Sequence, residues 1–126
     1  MLDRIDLHVD VPAVPFDALT QAPSGETSAH IRARVLKARQ WCRRRGQRCA
    51  NAQLNSKGLK KYCETTPEAG SLLRSAMREL LLSARSYTKI LKIARTIADL
   101  GRSDQILQDH IAEAIQYRSL DRQLWV

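Results

Sequence analysis

Residues 83–101 read SARSYTKILKIARTIADLG and carry the clearest helical pattern of the chain. Ser83 is typical of a helix N-cap, and Gly101 is typical of the position that follows a helix end. Between them, apolar side chains recur at intervals of three and four residues, which places them on one face of a helix. They are Tyr87, Ile90, Leu91, Ala94, Ile97 and Ala98. The pattern predicts an amphipathic helix that buries one face.

The same spacing, in shorter runs, predicts four further helices. One starts near Ser28, which is expected to be its cap, and stops at Gly46, and a short one follows Asn55 as its cap. The next starts at Thr65 or Thr66 with Pro67 in its first turn, a position that proline favours. The last lies near the C-terminal end. The apolar faces of these helices contain Ile31, Val35, Ala38, Trp41 or Cys42, Leu59, Tyr62, Cys63, Leu72, Leu73, Ala76, Met77, Leu80, Ile111, Ala114 and Ile115.

The N-terminal part follows a different pattern. Residues 5–11 alternate apolar and polar side chains and are stopped by Pro12, which predicts a half-buried β-strand. Residues 13–27 contain Pro15, Pro23, Ser24 and Gly25 and predict a linker with one short turn at residues 16–19. One strand cannot form a sheet, so its partners must lie elsewhere. The sequence therefore predicts a mainly α bundle of about five helices, preceded by one orphan strand of a larger α/β protein.

Composition limits what the chain can be. Its 126 residues allow one compact domain, and 44% hydrophobic with 27% charged residues is ordinary globular usage. No apolar run is long enough for a transmembrane helix or a secretory signal, so we expect a cytoplasmic protein without a membrane partner. The three cysteines lack the spacing of a zinc site, so we expect reduced thiols, with Cys42 and Cys63 at least half buried, and no metal.

The formal net charge of +8 is concentrated in one segment. Residues 27–48 contain eight bases and no acid, and such a block attracts polyanions, of which nucleic acid is the commonest. The alternatives are a solvated helix face, or a face that pairs with acidic residues of a neighbouring domain. Trp41 and Trp125 are either stacking platforms for bases or packing residues. The eight bases are Arg32, Arg34, Lys37, Arg39, Arg43, Arg44, Arg45 and Arg48.

Four motifs occur in a distinctive order and together span nearly the whole chain. They are MLDRIDLHV at residues 1–9, SGETS at 24–28, LSARSY at 82–87 with ARTIADL at 94–100, and YRSLDR at 117–122. In this arrangement the chain resembles the C-terminal part of the magnesium-chelatase-like AAA+ ATPases, specifically the ComM/YifB branch.

The resemblance implies a ring-forming ATPase of which this chain is the C-terminal end. Residues 1–12 would be the last strand of the nucleotide-binding core, 13–27 a linker and 28–126 a helical lid. The implied partners are the upstream AAA+ core, neighbouring subunits of a homohexamer, and DNA. The implied cofactors are ATP and Mg²⁺ in the full-length protein.

No Gly-x-x-x-x-Gly-Lys-Ser/Thr motif is present in the chain, nor is an acidic pair that follows an apolar strand. We therefore expect no bound nucleotide on this fragment and no ATP hydrolysis by it alone.

The resemblance assigns roles to two arginines. Arg4 matches the arginine that reaches a neighbouring subunit's nucleotide in trans, and Arg85 matches the sensor-2 arginine that contacts the γ-phosphate in cis. Arg85 is also expected within the first turn of a helix, where unpaired N–H groups favour an anion. Read without the resemblance, Arg4 is a surface ion-pair residue and Arg85 an ordinary first-turn residue.

Three functions follow from these observations. The leading one is the lid of a DNA-translocating, branch-migration helicase of the competence type. The second is the lid of a magnesium chelatase ATPase that drives Mg²⁺ into a porphyrin. The third is a free-standing basic helical module that binds nucleic acid without a motor.

Overall fold

The computed structural model of the protein describes residues 4–21 and 25–118. Within these ranges the fold is built from helices, which confirms the mainly α prediction. The helices are α1 (Phe16–Thr20), α2 (Ser28–Arg44), α3 (Ser56–Tyr62), α4 (Pro67–Glu79), α5 (Ala84–Leu100) and α6 (Gln108–Gln116), with a 3₁₀ turn at Asn51–Gln53. None of these helices is both long and apolar enough to cross a bilayer.

Side-chain caps set most of the helix starts where the sequence predicts them. Asn55 accepts a hydrogen bond from the backbone N–H of Gly58 at 2.9 Å, and Ser83 accepts one from Ser86 at 3.1 Å. Thr66, not Thr65, caps α4. The prediction for α2 is wrong by one residue: the cap is Thr27, which has extended backbone and accepts from His30, whereas Ser28 is already helical. Each cap satisfies an N–H that has no partner within its helix.

The hydrophobic core lies around α5, which packs against α6 and, on another side, against α2. Of the stripe predicted for α5, Ile90, Ala94 and Ala98 are fully buried, whereas Tyr87 is 42% exposed. One parallel bridge between Thr65 and Ile106 joins the start of α4 to the segment before α6. The buried apolar side chains are Leu54, Cys63, Ala69, Leu73, Ala76, Ile90, Leu91, Ala94, Ala98, Ile106, Ile111 and Ala114.

Helix α2 is bounded as predicted but buries little. None of its 17 residues is buried, and Ile31 and Val35 of its apolar stripe are 44% and 39% exposed. Gly46 follows its end with φ +85°, a conformation that glycine adopts more readily than other residues. The N-terminal part of the stripe therefore has the helical period but lacks a partner surface among the residues that the structure describes, whereas Ala38 and Cys42 nearer the end of α2 are partly buried.

The strand predicted for residues 5–11 is not formed. Of this segment only His8 is buried, and Leu7, Val9 and Val11 are each more than half exposed. A strand needs a neighbour whose backbone can share its hydrogen bonds, and the described ranges offer none. The backbone N–H of His8 instead donates to the carbonyl of Tyr117 at 2.6 Å, which ties the segment to the end of α6.

Candidate functional site

One open cleft of about 670 Å³ brings together the two arginines singled out in the sequence. Arg4 lines it from the N-terminal segment, and Arg85 lines it from the first turn of α5. Lys89 and Lys92 complete it from the same helix, because residues four and seven positions after Arg85 lie on one helical face. The sequence motifs point to Arg85 but not to the two lysines, although the spacing of the lysines from Arg85 is a usable signal.

A buried arginine holds the two sides of this cleft together. Arg118 is only 2% exposed, and its guanidinium donates to the backbone carbonyls of Ile5 and Asp6 and to the hydroxyl of Ser86 at 3.2 Å. Because Ile5 follows Arg4 and Ser86 follows Arg85, a single side chain contacts the neighbours of both cleft arginines, through the backbone carbonyl of Ile5 and through the hydroxyl of Ser86. Arg118 belongs to the YRSLDR motif, whose last four residues lie outside the described ranges.

The cleft carries a surplus of positive charge. One of its four cations, Lys89, forms an ion pair with Asp6, and the ammonium group of Lys92 donates to the carbonyl of Ala52 at 2.9 Å. Arg85 is the second residue of α5, so the positive end of the helix dipole adds to the field at the cleft. The arrangement suits an anion with several oxygens, such as a polyphosphate.

The eight bases of residues 27–48 do not form one uniform face. Arg34 pairs with Glu26 at 2.6 Å, and Arg45 is occupied by a network inside the fold. The Arg45 guanidinium donates to both carboxylate oxygens of Asp99 and to the side chains of Gln47 and Asn51. Six exposed bases remain for contact with an outside polyanion: Arg32, Lys37, Arg39, Arg43, Arg44 and Arg48.

The partner of Arg45 also pairs with a second buried arginine. Arg95 is 1% exposed and donates to Asp99 and to the carbonyls of Tyr62, Ser103 and Asp104. Burial lowers the pKa of Arg95, although the negative charge of Asp99 opposes this change. Burial also acts to lower the pKa of Arg45, but the hydrogen bonds and charge of Asp99 outweigh it, so the pKa of Arg45 is raised. This Arg45–Asp99–Arg95 network joins the end of α2 to α5.

The three cysteines are free thiols. Cys63 is buried, which raises its pKa to about 11, and burial likewise raises the pKa of the partly exposed Cys42. Both thiols are therefore protonated at neutral pH, whereas a cysteine nucleophile needs a lowered pKa. Over residues 4–21 and 25–118, no group of three or more His, Cys, Asp or Glu side chains is placed to hold a metal ion.

Comparison with known proteins gives a consistent set of relatives. Residues 25–118 match the family described as magnesium chelatase, subunit ChlI C-terminal. Over 98% of its length the chain is 44% identical to competence protein ComM of Haemophilus influenzae and 40% identical to the uncharacterized protein YifB of Salmonella typhimurium. Over 94% of its length it is 31% identical to the uncharacterized protein Rv2897c of Mycobacterium tuberculosis. It spans about a quarter, 24%, of the length of each of these curated relatives.

Proposed function

The chain belongs to the magnesium chelatase subunit ChlI C-terminal family, and we propose that it is the helical lid of a ring-forming AAA+ ATPase. The observation that carries this proposal is the shared cleft, which Arg4 and Arg85 both line while their chain neighbours Ile5 and Ser86 both contact Arg118. A lid that completes a nucleotide site needs cations that meet phosphate oxygens but does not need its own phosphate loop.

The chemistry of phosphoryl transfer explains why arginines would be placed there. Charge spreads over the oxygens of the transferred group, and guanidinium groups stabilise it, an effect of about 10³–10⁵ in rate for arginine fingers. Arg4, Arg85 and Lys92 line one cleft and offer cations to phosphate oxygens, whereas the sequence has no acidic pair after an apolar strand to hold Mg²⁺. ATP and Mg²⁺ would therefore be held by a core segment, and this chain would add charge stabilisation to the phosphate.

The shared cleft also refines the roles that the resemblance implies. Arg4 was expected to act on a neighbouring subunit's nucleotide and Arg85 on its own. Since both line one cleft and are tied through one buried guanidinium, we propose that both reach the same nucleotide. The assembly would be a homohexamer in the cytoplasm.

For the work done by the ATPase, we propose translocation of DNA, as in a branch-migration helicase of the competence type. The six exposed bases on and just after α2 support this role, because they offer phosphate contacts separate from the nucleotide cleft. Insertion of Mg²⁺ into a porphyrin is the alternative, supported by the name of the family. Stimulation of ATP hydrolysis by DNA, and not by a porphyrin, would distinguish the two.

The test uses the complete polypeptide encoded by the gene. A phosphate loop should be encoded upstream of residue 1, and Arg85→Ala and Arg4→Ala should each lower kcat for ATP hydrolysis by two orders of magnitude or more, in line with arginine fingers at about 10³–10⁵. Nucleotide affinity should change less, because the core supplies most contacts. Arg78→Ala, an exposed arginine on α4 that does not line the cleft, is the matched control. Wild-type turnover in either cleft variant would overturn the proposal.

A further inference from the structure

Trp41 lies near the C-terminal end of α2 and lines two clefts. The larger cleft, of about 440 Å³, is also lined by Tyr62 and Lys61, and the smaller one, of about 250 Å³, by Lys37 and Arg102. Arg44 lines both. The larger volume is within the range of about 300–1,000 Å³ that small-molecule sites occupy.

Packing does not account for Trp41. The hydrophobic core, as far as the structure describes it, includes Tyr62 among its partly buried members but not Trp41, which remains partly exposed at the walls of the two clefts. A large aromatic ring outside the core and open to a cleft is available to a ligand that can stack on it.

The charges around Trp41 have the arrangement that a nucleotide needs. The guanidinium carbon of Arg44 lies over one face of the Trp41 ring, 5.5 Å from its centre, so a cation that can pair with a phosphate stands directly at the indole and a base would stack on the other face. The ammonium of Lys61 lies 5.2 Å from the centre of the Tyr62 ring on the other wall of the larger cleft.

Two carboxylates decide which part of a nucleotide fits inside. Glu64 and Asp104 line the larger cleft, where their charges disfavour a phosphate but can accept hydrogen bonds from the amino group of a base. Lys37 and Arg102 stand outside it, along the smaller cleft, where they can meet phosphates. The base would therefore lie in the larger cleft and the backbone along the smaller one.

We propose that Trp41 and its two clefts form a binding site for single-stranded nucleic acid, with one base stacked on the indole and the adjoining phosphates held by Arg44, Lys37 and Arg102. Paired bases in a duplex have both faces covered by neighbours, so the site selects a single strand. It shares no residue with the Arg4–Arg85 cleft, and it rests on the proposed function only in the choice of a nucleic acid as ligand.

The test measures binding of the 126-residue chain to labelled 12-nucleotide strands by fluorescence anisotropy. The strands are oligo(dA), an abasic strand of the same length, and a duplex. Trp41→Ala should weaken oligo(dA) binding roughly 5- to 150-fold, which is the loss of one base stack, and should leave abasic binding unchanged. Trp41→Phe should restore most of the affinity. Arg44→Ala should weaken binding to both single strands and reduce the salt slope by about one.

Control variants and alternative probes make each outcome decisive. Circular dichroism and thermal unfolding check that Trp41→Ala is folded, and Arg78→Ala on α4 is the control for a lost surface charge. Equal binding of the abasic strand, or wild-type binding by Trp41→Ala, would overturn the stacking site while leaving the phosphate contacts of α2 in place. Tighter binding of the duplex, or equal Trp41-dependent binding of polyglutamate, would also overturn it.

Failure to bind any strand at low salt would refute both this site and the DNA part of the proposed function, whereas the arginine test of ATP hydrolysis would be unaffected.

Discussion

Two regions of the molecule are held in place by different kinds of interaction. The bundle formed by α4, α5 and α6 buries its own apolar side chains, and Ile90 at its centre is fully buried. The N-terminal arm (residues 4–21) and α2 leave theirs open, so that Ile31 is 44% exposed. Polar contacts, at Arg118 for the arm and at Asp99 for α2, attach these elements to the bundle. The difference teaches that hydrophobic burial builds the bundle, whereas hydrogen bonds and ion pairs hold the arm and α2 against it.

The largest effect is expected at the junction of the two regions. Asp99→Ala leaves the buried Arg95 and the partly buried Arg45 without their shared anion, which should lower the free energy of unfolding by about 3–5 kcal/mol. Urea unfolding followed by circular dichroism measures the loss. Glu79→Ala, an exposed acid at the end of α4, should change stability by no more than about 0.5 kcal/mol. Equal midpoints for the two variants would show that the network does not support the fold.

The contrast in burial can be tested with a matched pair of isoleucines. Ile90→Ala removes side-chain volume from a closed core and should cost about 2–5 kcal/mol. Ile31→Ala makes the same chemical change on an open helix face and should cost about 0.5 kcal/mol or less. Thermal or urea unfolding of both variants gives the comparison. Similar losses would mean that α2 has a packing surface in solution that the structure does not show.

A smaller effect depends on pH and concerns the thiol of Cys63. Its pKa is about 11 in the folded protein against an ordinary value of 9.0, so the folded chain keeps a proton that the unfolded chain releases. Stability should therefore be intact below about pH 9 and fall by about 2–3 kcal/mol as the pH rises to about 11. Cys63→Ala should flatten this fall, whereas Cys49→Ala, at an exposed position, should not. An unchanged pH profile in Cys63→Ala would contradict the assignment.

The smallest effect on global stability is expected when the arm is released. Arg118→Met removes the donors to Ile5 and Asp6 and should cost about 1 kcal/mol, because the core beneath it is unchanged. The local effect should be larger: the His8 amide, which donates to Tyr117, should lose its protection in hydrogen exchange. Arg74→Met on α4 is the control. Retained protection in Arg118→Met would show that another contact holds the arm.

The fold was predictable wherever the signal is local. Caps such as Asn55 and Ser83 and the stripe of α5 are read from neighbouring residues, and the structure confirms them. The strand at residues 5–11 could not be judged in the same way, because its formation depends on a partner that local alternation does not reveal.

The site was predictable only in part, for the same reason. A run of bases in the sequence does not show which side chain points into the fold. The prediction of a nucleic-acid contact therefore includes Arg45, which binds Asp99 in the structure, together with bases that are exposed. The tie from Arg118 to Ile5 connects residues at opposite ends of the described chain, and no spacing rule relates them. Asp99 did leave a signal, since it lies four residues after Arg95 near the end of a mostly apolar helix.

Helix α5 is the centre of the core and also connects the Arg4–Arg85 cleft to the end of α2. It carries Arg85 at its first turn and Asp99 near its last, a separation of about 21 Å at 1.5 Å per residue. If α5 tilted by roughly 10° around its first turn, Asp99 would move by about 4 Å. Because Asp99 binds Arg45 at the end of α2, a movement of α5 at the Arg4–Arg85 cleft would also shift the end of α2, and a movement of α2 would shift α5 in the same way.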